Sequence, residues 1–131
     1  MKIFLDTNVL VSVLLWKGEA FTFVSKAVER GDELLICPTT FVELSDILRR
    51  DFNATDEDRI EFLETAVKLC SLVFEKVNPP ESSLSPNDAV ILETASRHAD
   101  VLVTYDKALL KFKTSFRVVL PKQAYSSAPE K

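Results

Sequence analysis

Short apolar runs alternate with segments of helical periodicity along the chain, and no other feature limits the fold as strongly. Lys2–Leu5, Leu34–Cys37, Ser71–Phe74, Val101–Thr104 and Phe116–Leu120 read as strands. Between the first two, Asp6-Thr7-Asn8 can cap a helix with Val9 to Leu15 as its body, and Ala20 to Arg30 is amphipathic and closed by Gly31. Pro38-Thr39-Thr40 opens a third helix, in which Phe41, Leu44, Ile47 and Leu48 recur at three- and four-residue steps. Thr55 to Asp58 has the spacing of a capping box, which predicts a fourth helix running to about Cys70. Ser85-Pro86 starts a fifth with Ala89, Leu92, Ala95 and Ala99 on one face, and a sixth follows Tyr105-Asp106. Strands separated by helices predict an α/β fold in three layers: a central parallel sheet of four to five strands with helices on both faces.

The chain has 131 residues, the size of one compact domain, with 47% hydrophobic and 27% charged residues. The expected organisation is one domain over residues 1–120 and a loosely held Pro-, Ser- and Ala-containing tail over 121–131. The uncharged run from Thr7 to Trp16 is too short to span a bilayer, and no basic leader precedes an apolar stretch, so the expectation is a cytoplasmic protein with no membrane contact. Cys37 and Cys70 lie in apolar stretches without C-x-x-C spacing and read as buried small hydrophobes.

The geometry of a parallel sheet turns the strand pattern into a site. Every crossover leaves a strand at its C-terminal end, so the residues that follow each strand collect along one rim, where ligands of open α/β sheets bind. Asp6 follows the first strand, Glu43 lies in the first turn after the second, Asp88 opens the helix after the third, and Asp106 follows the fourth. Asp100 stands at the other end of the fourth strand, roughly 13 Å away at about 3.3 Å per residue, and is excluded.

Taken singly, each acid is most simply a helix cap, since Thr40 to Glu43 and Ser85 to Asp88 match the capping-box spacing and Asp6 and Asp106 precede helices. Taken together they are harder to explain. Clustered carboxylates repel, and a helix N-terminus offsets only about 0.3 to 1 kcal/mol each, whereas a divalent cation removes the conflict. Net charge supports this: 16 basic against 20 acidic residues gives −4, and these four acids are the whole excess.

Oxygen ligands without His or Cys suit Mg²⁺ or Mn²⁺ better than zinc. His98 is the single histidine and reads as a partner of its helix C-terminus, so a serine-type triad is not expected. Two glycines, Gly18 and Gly31, leave no P-loop or dinucleotide fingerprint. Metal-activated water attacking a phosphodiester is the chemistry these residue types support.

The opening strand with Asp6-Thr7-Asn8-Val9-Leu10, then Phe41-Val42-Glu43-Leu44, Asp88-Ala89 and Val103-Thr104-Tyr105-Asp106, resembles the acidic motifs of PIN-domain nucleases in their order. The segment from Val11 to Gly18 is most similar to the prokaryotic (VapC-like) branch that supplies toxins of toxin-antitoxin pairs. The resemblance covers Lys2 to about Leu120. It implies Mg²⁺- or Mn²⁺-dependent ribonuclease activity on RNA, frequent homodimers, and a cognate antitoxin as partner. It also implies that Asp6, Asp88 and Asp106 bind metal, that Glu43 holds a second metal or positions the attacking water, and that Asn8 and Thr104 orient carboxylates. Asn87 stands where some relatives carry a further acid.

Lys107, next to Asp106, is the expected substrate-binding cation; Lys111, Lys113, Arg49 and Arg50 read as solvated faces. Trp16 is expected to cover the core or a subunit contact, and Phe21, Phe23, Phe41, Phe62 and Phe74 to lie in the core. Two other functions compete. A phosphatase with an aspartyl nucleophile would need a second Asp where Asn8 stands, and a non-catalytic interaction module would keep the fold while its acids could be replaced without effect.

Overall fold

A computed structural model of the chain describes residues 1–125. The strands are β1 (Lys2–Leu5), β2 (Glu33–Ile36), β3 (Ser71–Leu72), β4 (Val101–Val103) and β5 (Val118–Val119). The helices are α1 (Thr7–Leu15), α2 (Glu19–Arg30), α3 (Pro38–Phe52), α4 (Asp56–Leu69), α5 (Pro86–His98) and α6 (Lys107–Lys111). All strand pairs are parallel, in the order β3-β2-β1-β4-β5. From β1 the chain builds one side of the sheet through β2 and β3, then crosses back to build the other through β4 and β5. The strand order therefore reverses between β1 and β4, and the expected switch point lies beside the first strand.

The strand period of two divides the core. Ile3 and Leu5 of β1, with Leu34, Ile36, Val101 and Val103, face one layer containing Val9 and Leu10 of α1, Phe23 and Val24 of α2, Leu44 and Leu48 of α3 and Ala66 of α4. Phe4, Leu35 and Leu102 face the other layer, against Ile91, Leu92 and Ala95 of α5 and Leu109 of α6. Phe4, Leu10, Leu102 and Leu109 are fully enclosed, and each such side chain contributes about 1.5–3 kcal/mol relative to exposure. Three layers with helices on both faces is the architecture the alternation predicts.

Local chemistry sets the boundaries. Gly31 closes α2 in the left-handed conformation at φ 76°, where its N–H reaches the carbonyls of Ala27 and Val28. Thr55 accepts from the Asp58 N–H at 3.1 Å at the start of α4, and Ser85 accepts from the Asp88 N–H at 3.2 Å with Pro86 at the first helical position of α5. The third helix differs from the spacing-based expectation. Cys37 is its N-cap and makes no side-chain cap bond, and Thr40 is fully buried beside the Cys37 sulfur at 3.6 Å. The Thr40–Glu43 capping box is therefore not formed, which leaves the Glu43 carboxylate available for other partners.

Both edge strands are shorter than the apolar runs suggest. Outer strands have a single neighbour, so β3 ends at Leu72 after pairing with β2, and Val118–Val119 alone pairs with β4. Phe74, expected in the core, lies beyond the end of β3 and is 77% exposed; Phe21 is also exposed. Phe23 is buried, and Phe41 and Phe62 pack partly buried against the core. Trp16 is exposed, with its ring edge on Phe52 at 5.7 Å.

Pro121, where a loose tail was expected to begin, is buried and opens a 3-10 turn (Pro121–Gln123). Tyr125 packs on Phe23, lies under the Arg30 guanidinium and donates its hydroxyl proton to Asp32 at 2.6 Å. An aromatic able to bury one face and bond at its tip holds this stretch to α2. Residues 126–131 of the expected tail lie outside the described residues. Cys37 and Cys70 are buried free thiols, and burial pushes Cys70 up to about 12, which keeps it an inert thiol. No helix among the described residues is long and apolar enough to cross a membrane.

Candidate metal centre

The acids following β1, β2 and β4, with the acid opening α5, surround the C-terminal rim at the reversal of strand order. Asp6 is the most enclosed, at 4% exposure. Its backbone N–H extends the sheet by bonding the Val103 carbonyl at 3.0 Å, so β4 fixes its position directly. Oδ1 caps α1 by accepting from the Thr7 N–H at 2.8 Å, and Oδ2 accepts from the Thr104 hydroxyl at 2.6 Å. Burial pushes the Asp6 carboxyl up to about 6, against the hydrogen bonds from Thr104 and Thr7; the charges of Asp88 and Glu43 raise it further.

Asp106 is tied to the same group. Its backbone N–H donates to the Thr104 hydroxyl oxygen at 2.9 Å, while Oδ1 caps α6 by accepting from the Ala108 N–H at 2.7 Å and the Leu109 N–H at 3.3 Å. The helix-cap reading is thus correct for Asp6 and Asp106, but it occupies only one oxygen of each. Asp88 is half-buried and raised above the ordinary carboxylate range, first by burial and then by the charge of Asp106, with Glu43 adding to it and Ser85 opposing. Asp88 and Glu43 thus act on Asp6, and Asp106 and Glu43 act on Asp88.

Glu43 projects from the first turns of α3 toward α1 and α5. Oε1 accepts from the Thr7 hydroxyl at 2.6 Å, and Oε2 accepts from the Asn87 amide at 2.9 Å. Thr7 and Asn87 are the contributors that pattern reasoning missed. Thr7 was visible only as part of a capping motif and Asn87 only as a replaced acid; the signal in Thr7 is that it is a buried hydroxyl on an otherwise apolar helix face.

Thr104 is fully buried and donates its hydroxyl proton to the Asp6 carboxylate. Asn8 acts on backbone instead: its carbonyl oxygen accepts from the Tyr105 N–H at 3.2 Å, fixing the turn that carries Asp106. Lys107 is exposed at the first position of α6. Arg49 and Arg50 pair with Asp46 and Asp51 on their own helix, and His98 with Arg97 engages Glu75. Asp100 lies at the opposite rim, accepting from the Lys2 N–H at 2.7 Å.

Among the described residues, no three His, Cys, Asp or Glu side chains are gathered closely enough to hold an ion as they stand. The acids at the rim offer oxygen ligands, which suit a hard cation that keeps several waters and takes one or two carboxylates directly.

The family model for the PIN domain matches residues 2–108. Searched by sequence, the curated proteins contain no match to the chain. Among solved structures, it is similar to a chain of VapBC2 from Rickettsia felis, solved bound to a DNA fragment from their promoter, with TM-score 0.67 and 14% identity, covering 91% of this chain and 97% of that one. It is also similar to VapBC-1 from nontypeable Haemophilus influenzae, with TM-score 0.67, 19% identity and coverage of 93% and 99%. PAE2754 from Pyrobaculum aerophilum aligns with TM-score 0.65, 18% identity and coverage of 93% and 85%. Identities this low speak for a shared fold, and the match of the family model over most of the chain adds the lineage. The chain belongs to the PIN domain family.

Proposed function

We propose that this protein is a metal-dependent endoribonuclease that hydrolyses RNA phosphodiester bonds, acting as the toxin of a toxin-antitoxin pair. The observation that carries the reading is the buried Asp6 carboxyl, raised to about 6 and facing the charges of Asp88 and Glu43 at the switch point of a parallel sheet. A fold that buries an acid among acids loses stability unless a cation joins them. The VapBC neighbours support an antitoxin as the partner, since they are two-component assemblies by name.

Bound Mg²⁺ or Mn²⁺ supplies an activated water and neutralises charge on the phosphate. Asp6, Asp88 and Asp106 are the proposed ligands. Thr104 keeps Asp6 ionised and aimed by donating to Oδ2, and through the Asp106 N–H it sets the spacing of two of the ligands. Glu43, whose two oxygens accept from Thr7 and Asn87, would hold a second metal or position the attacking water. Lys107 meets a phosphate beside the cleaved one.

The test is incubation of the purified protein with structured and unstructured RNAs, with Mg²⁺, Mn²⁺ or chelator, beside Asp6→Asn. Internal cleavage that needs the cation and disappears in the variant is expected. Cleavage that persists in chelator, or in Asp6→Asn, refutes the reading, and turnover of a phosphomonoester with RNA left intact would favour a phosphatase.

A further inference from the structure

Basic residues are unevenly placed along this acidic chain. The stretch from Lys107 to Lys122 holds five of the 16 basic residues and none of the 20 acidic ones. Lys107, Lys111, Lys113 and Arg117 are all exposed, and none makes an ion pair among the described residues. Lys107 and Lys111 lie one turn apart on α6, on the face opposite the buried Leu109, and Lys113 follows two residues later. Arg117 stands just before β5, and its guanidinium bonds the backbone carbonyls of Gln123 at 3.0 Å and Ala124 at 3.2 Å, which leave its charge uncancelled. Lys122 differs, since Glu19 shares its groove.

Of the neighbouring acids, Glu93 of α5 holds Arg97 at 2.9 Å, Asp100 before β4 accepts from the Lys2 N–H at 2.7 Å, and Asp106 caps α6 at the start of the strip. Cations often guard an open edge strand against pairing, which accounts for Arg117 beside β5. It does not account for Lys107 and Lys111, which stand on a helix. The kind of partner follows from what accompanies the charge. No large hydrophobic residue between Lys107 and Lys122 is exposed, whereas protein interfaces centre on apolar anchors. Phe112 and Phe116 pack against the core layer of α5, which leaves no ring on which an unpaired base could stack. Cations without an apolar anchor or a stacking ring suit the backbone of a paired nucleic acid, which is recognised by shape and phosphate position.

We infer that the outer face of α6, continued through Lys113 to Arg117, is an exosite for the paired stem of a folded RNA, off the rim on the β5 side of the domain. Lys111, Lys113 and Arg117 hold backbone phosphates of the stem, and the strand leaving it passes Lys107 to reach Asp106 and the other acids. This rests on the nuclease reading and adds to it a choice of substrate: an RNA with a stem beside the cleaved linkage is held more tightly than an unpaired strand.

The test uses the full chain carrying Asp6→Asn, with a fluorescein-labelled RNA hairpin and an oligouridylate of equal length, and follows binding by anisotropy in Mn²⁺ at several salt concentrations. Lys111→Ala with Lys113→Ala should weaken hairpin binding about tenfold and reduce its salt slope by about 0.9 for each cation removed, while oligouridylate binding changes less than about twofold. Lys111→Arg with Lys113→Arg should keep the parent's affinity. Lys17→Ala with Lys68→Ala removes the same charge from exposed positions after α1 and on α4, in the other helical layer, and should leave hairpin binding unchanged. In the otherwise native chain, the Lys111 and Lys113 alanine pair should raise KM for the hairpin and leave kcat unchanged. These side chains are exposed, so the melting temperatures of the variants should match the parent's. Parental hairpin affinity in the alanine pair, an equal loss in the Lys17 and Lys68 control, or an equal loss for hairpin and oligouridylate overturns the inference. So does displacement of the hairpin by polyglutamate at equal charge, which would mark a site for an acidic protein. If the native chain neither binds nor cleaves RNA, the nuclease reading itself falls; if it does both and the alanine pair matches it, only the exosite falls.

Discussion

Thr104 Oγ1 donates to Asp6 Oδ2 at 2.6 Å across a separation of 98 residues, and the same oxygen accepts from the Asp106 N–H at 2.9 Å. One fully buried hydroxyl thus fixes the first and last acids of the rim relative to each other.

Removing that hydroxyl should be costly although the volume is kept. Thr104→Val leaves the Asp6 oxygen and the Asp106 N–H without a partner, at about 1–3 kcal/mol for an unsatisfied buried group. Thermal unfolding should show the loss, and RNA cleavage should fall at least tenfold, whereas Thr104→Ser should keep most of both. Equal activity in the valine and serine variants would show that the hydroxyl does not position the acids.

Asp6 gives the protein an unusual pH dependence. Its folded carboxyl is raised from 3.8 to about 6, so between those values the folded state holds the proton more tightly than the unfolded chain. Without divalent cations the Asp6 contribution to stability is fully favourable below pH 4 and is lost as pH rises through 6, on the order of 3 kcal/mol in all. Asp6→Asn should therefore melt higher than the parent at pH 7 in chelator while cleaving no RNA, and the gap should close toward pH 4. A variant less stable at pH 7 would contradict this origin of the shift.

The sequence is legible where local rules and the fold agree. Gly31, Thr55 and Ser85-Pro86 mark helix ends by backbone chemistry that does not depend on distant residues, and the alternation of strands with helices leaves a parallel sheet as the economical way to bury both. The acids could be assigned to one rim because that follows from strand direction alone. Partners at long range could not: the Thr7 hydroxyl bonds Glu43, 36 residues away, and Asn87 bonds it across 44. Thr40–Glu43 matched a capping box, yet chain entry at Cys37 buried Thr40, and the Glu43 carboxylate bonds Thr7 and Asn87 instead. Phe74 looked like core because an apolar run does not reveal where an edge strand loses its neighbour.

Asn87 separates the effect of charge from that of shape at Glu43. Its amide donates to Oε2 at 2.9 Å, so Asn87→Asp replaces a donor with a like charge at nearly the same place. In chelator the variant should melt below the parent by a few degrees, and added Mn²⁺ should recover more than it does for the parent. Melting curves with and without Mn²⁺ decide it; an unchanged Mn²⁺ response would place Asn87 outside the metal's field.

The far rim provides a control away from the acids. The Tyr125 hydroxyl, followed by the N-terminal ammonium, holds Asp32 below the ordinary carboxylate range. A depressed carboxyl contributes stability above its ordinary value near 3.8, and that contribution is lost as pH falls through and below it. Tyr125→Phe should cost about 1 kcal/mol at neutral pH, less in acid, and leave RNA cleavage unchanged. A fall in cleavage at constant stability would tie residues 121–125 to the site.

Calorimetric titration of Mn²⁺ into the cation-free protein, beside Asp6→Asn, Asp88→Asn and Asp106→Asn, asks directly whether acids from separate strand exits share cations. Saturable binding in the parent that weakens at least tenfold in each single variant is the expected result. Binding in all three variants that equals the parent's, or a parent that takes up no Mn²⁺, would mean that these carboxylates do not form a metal centre.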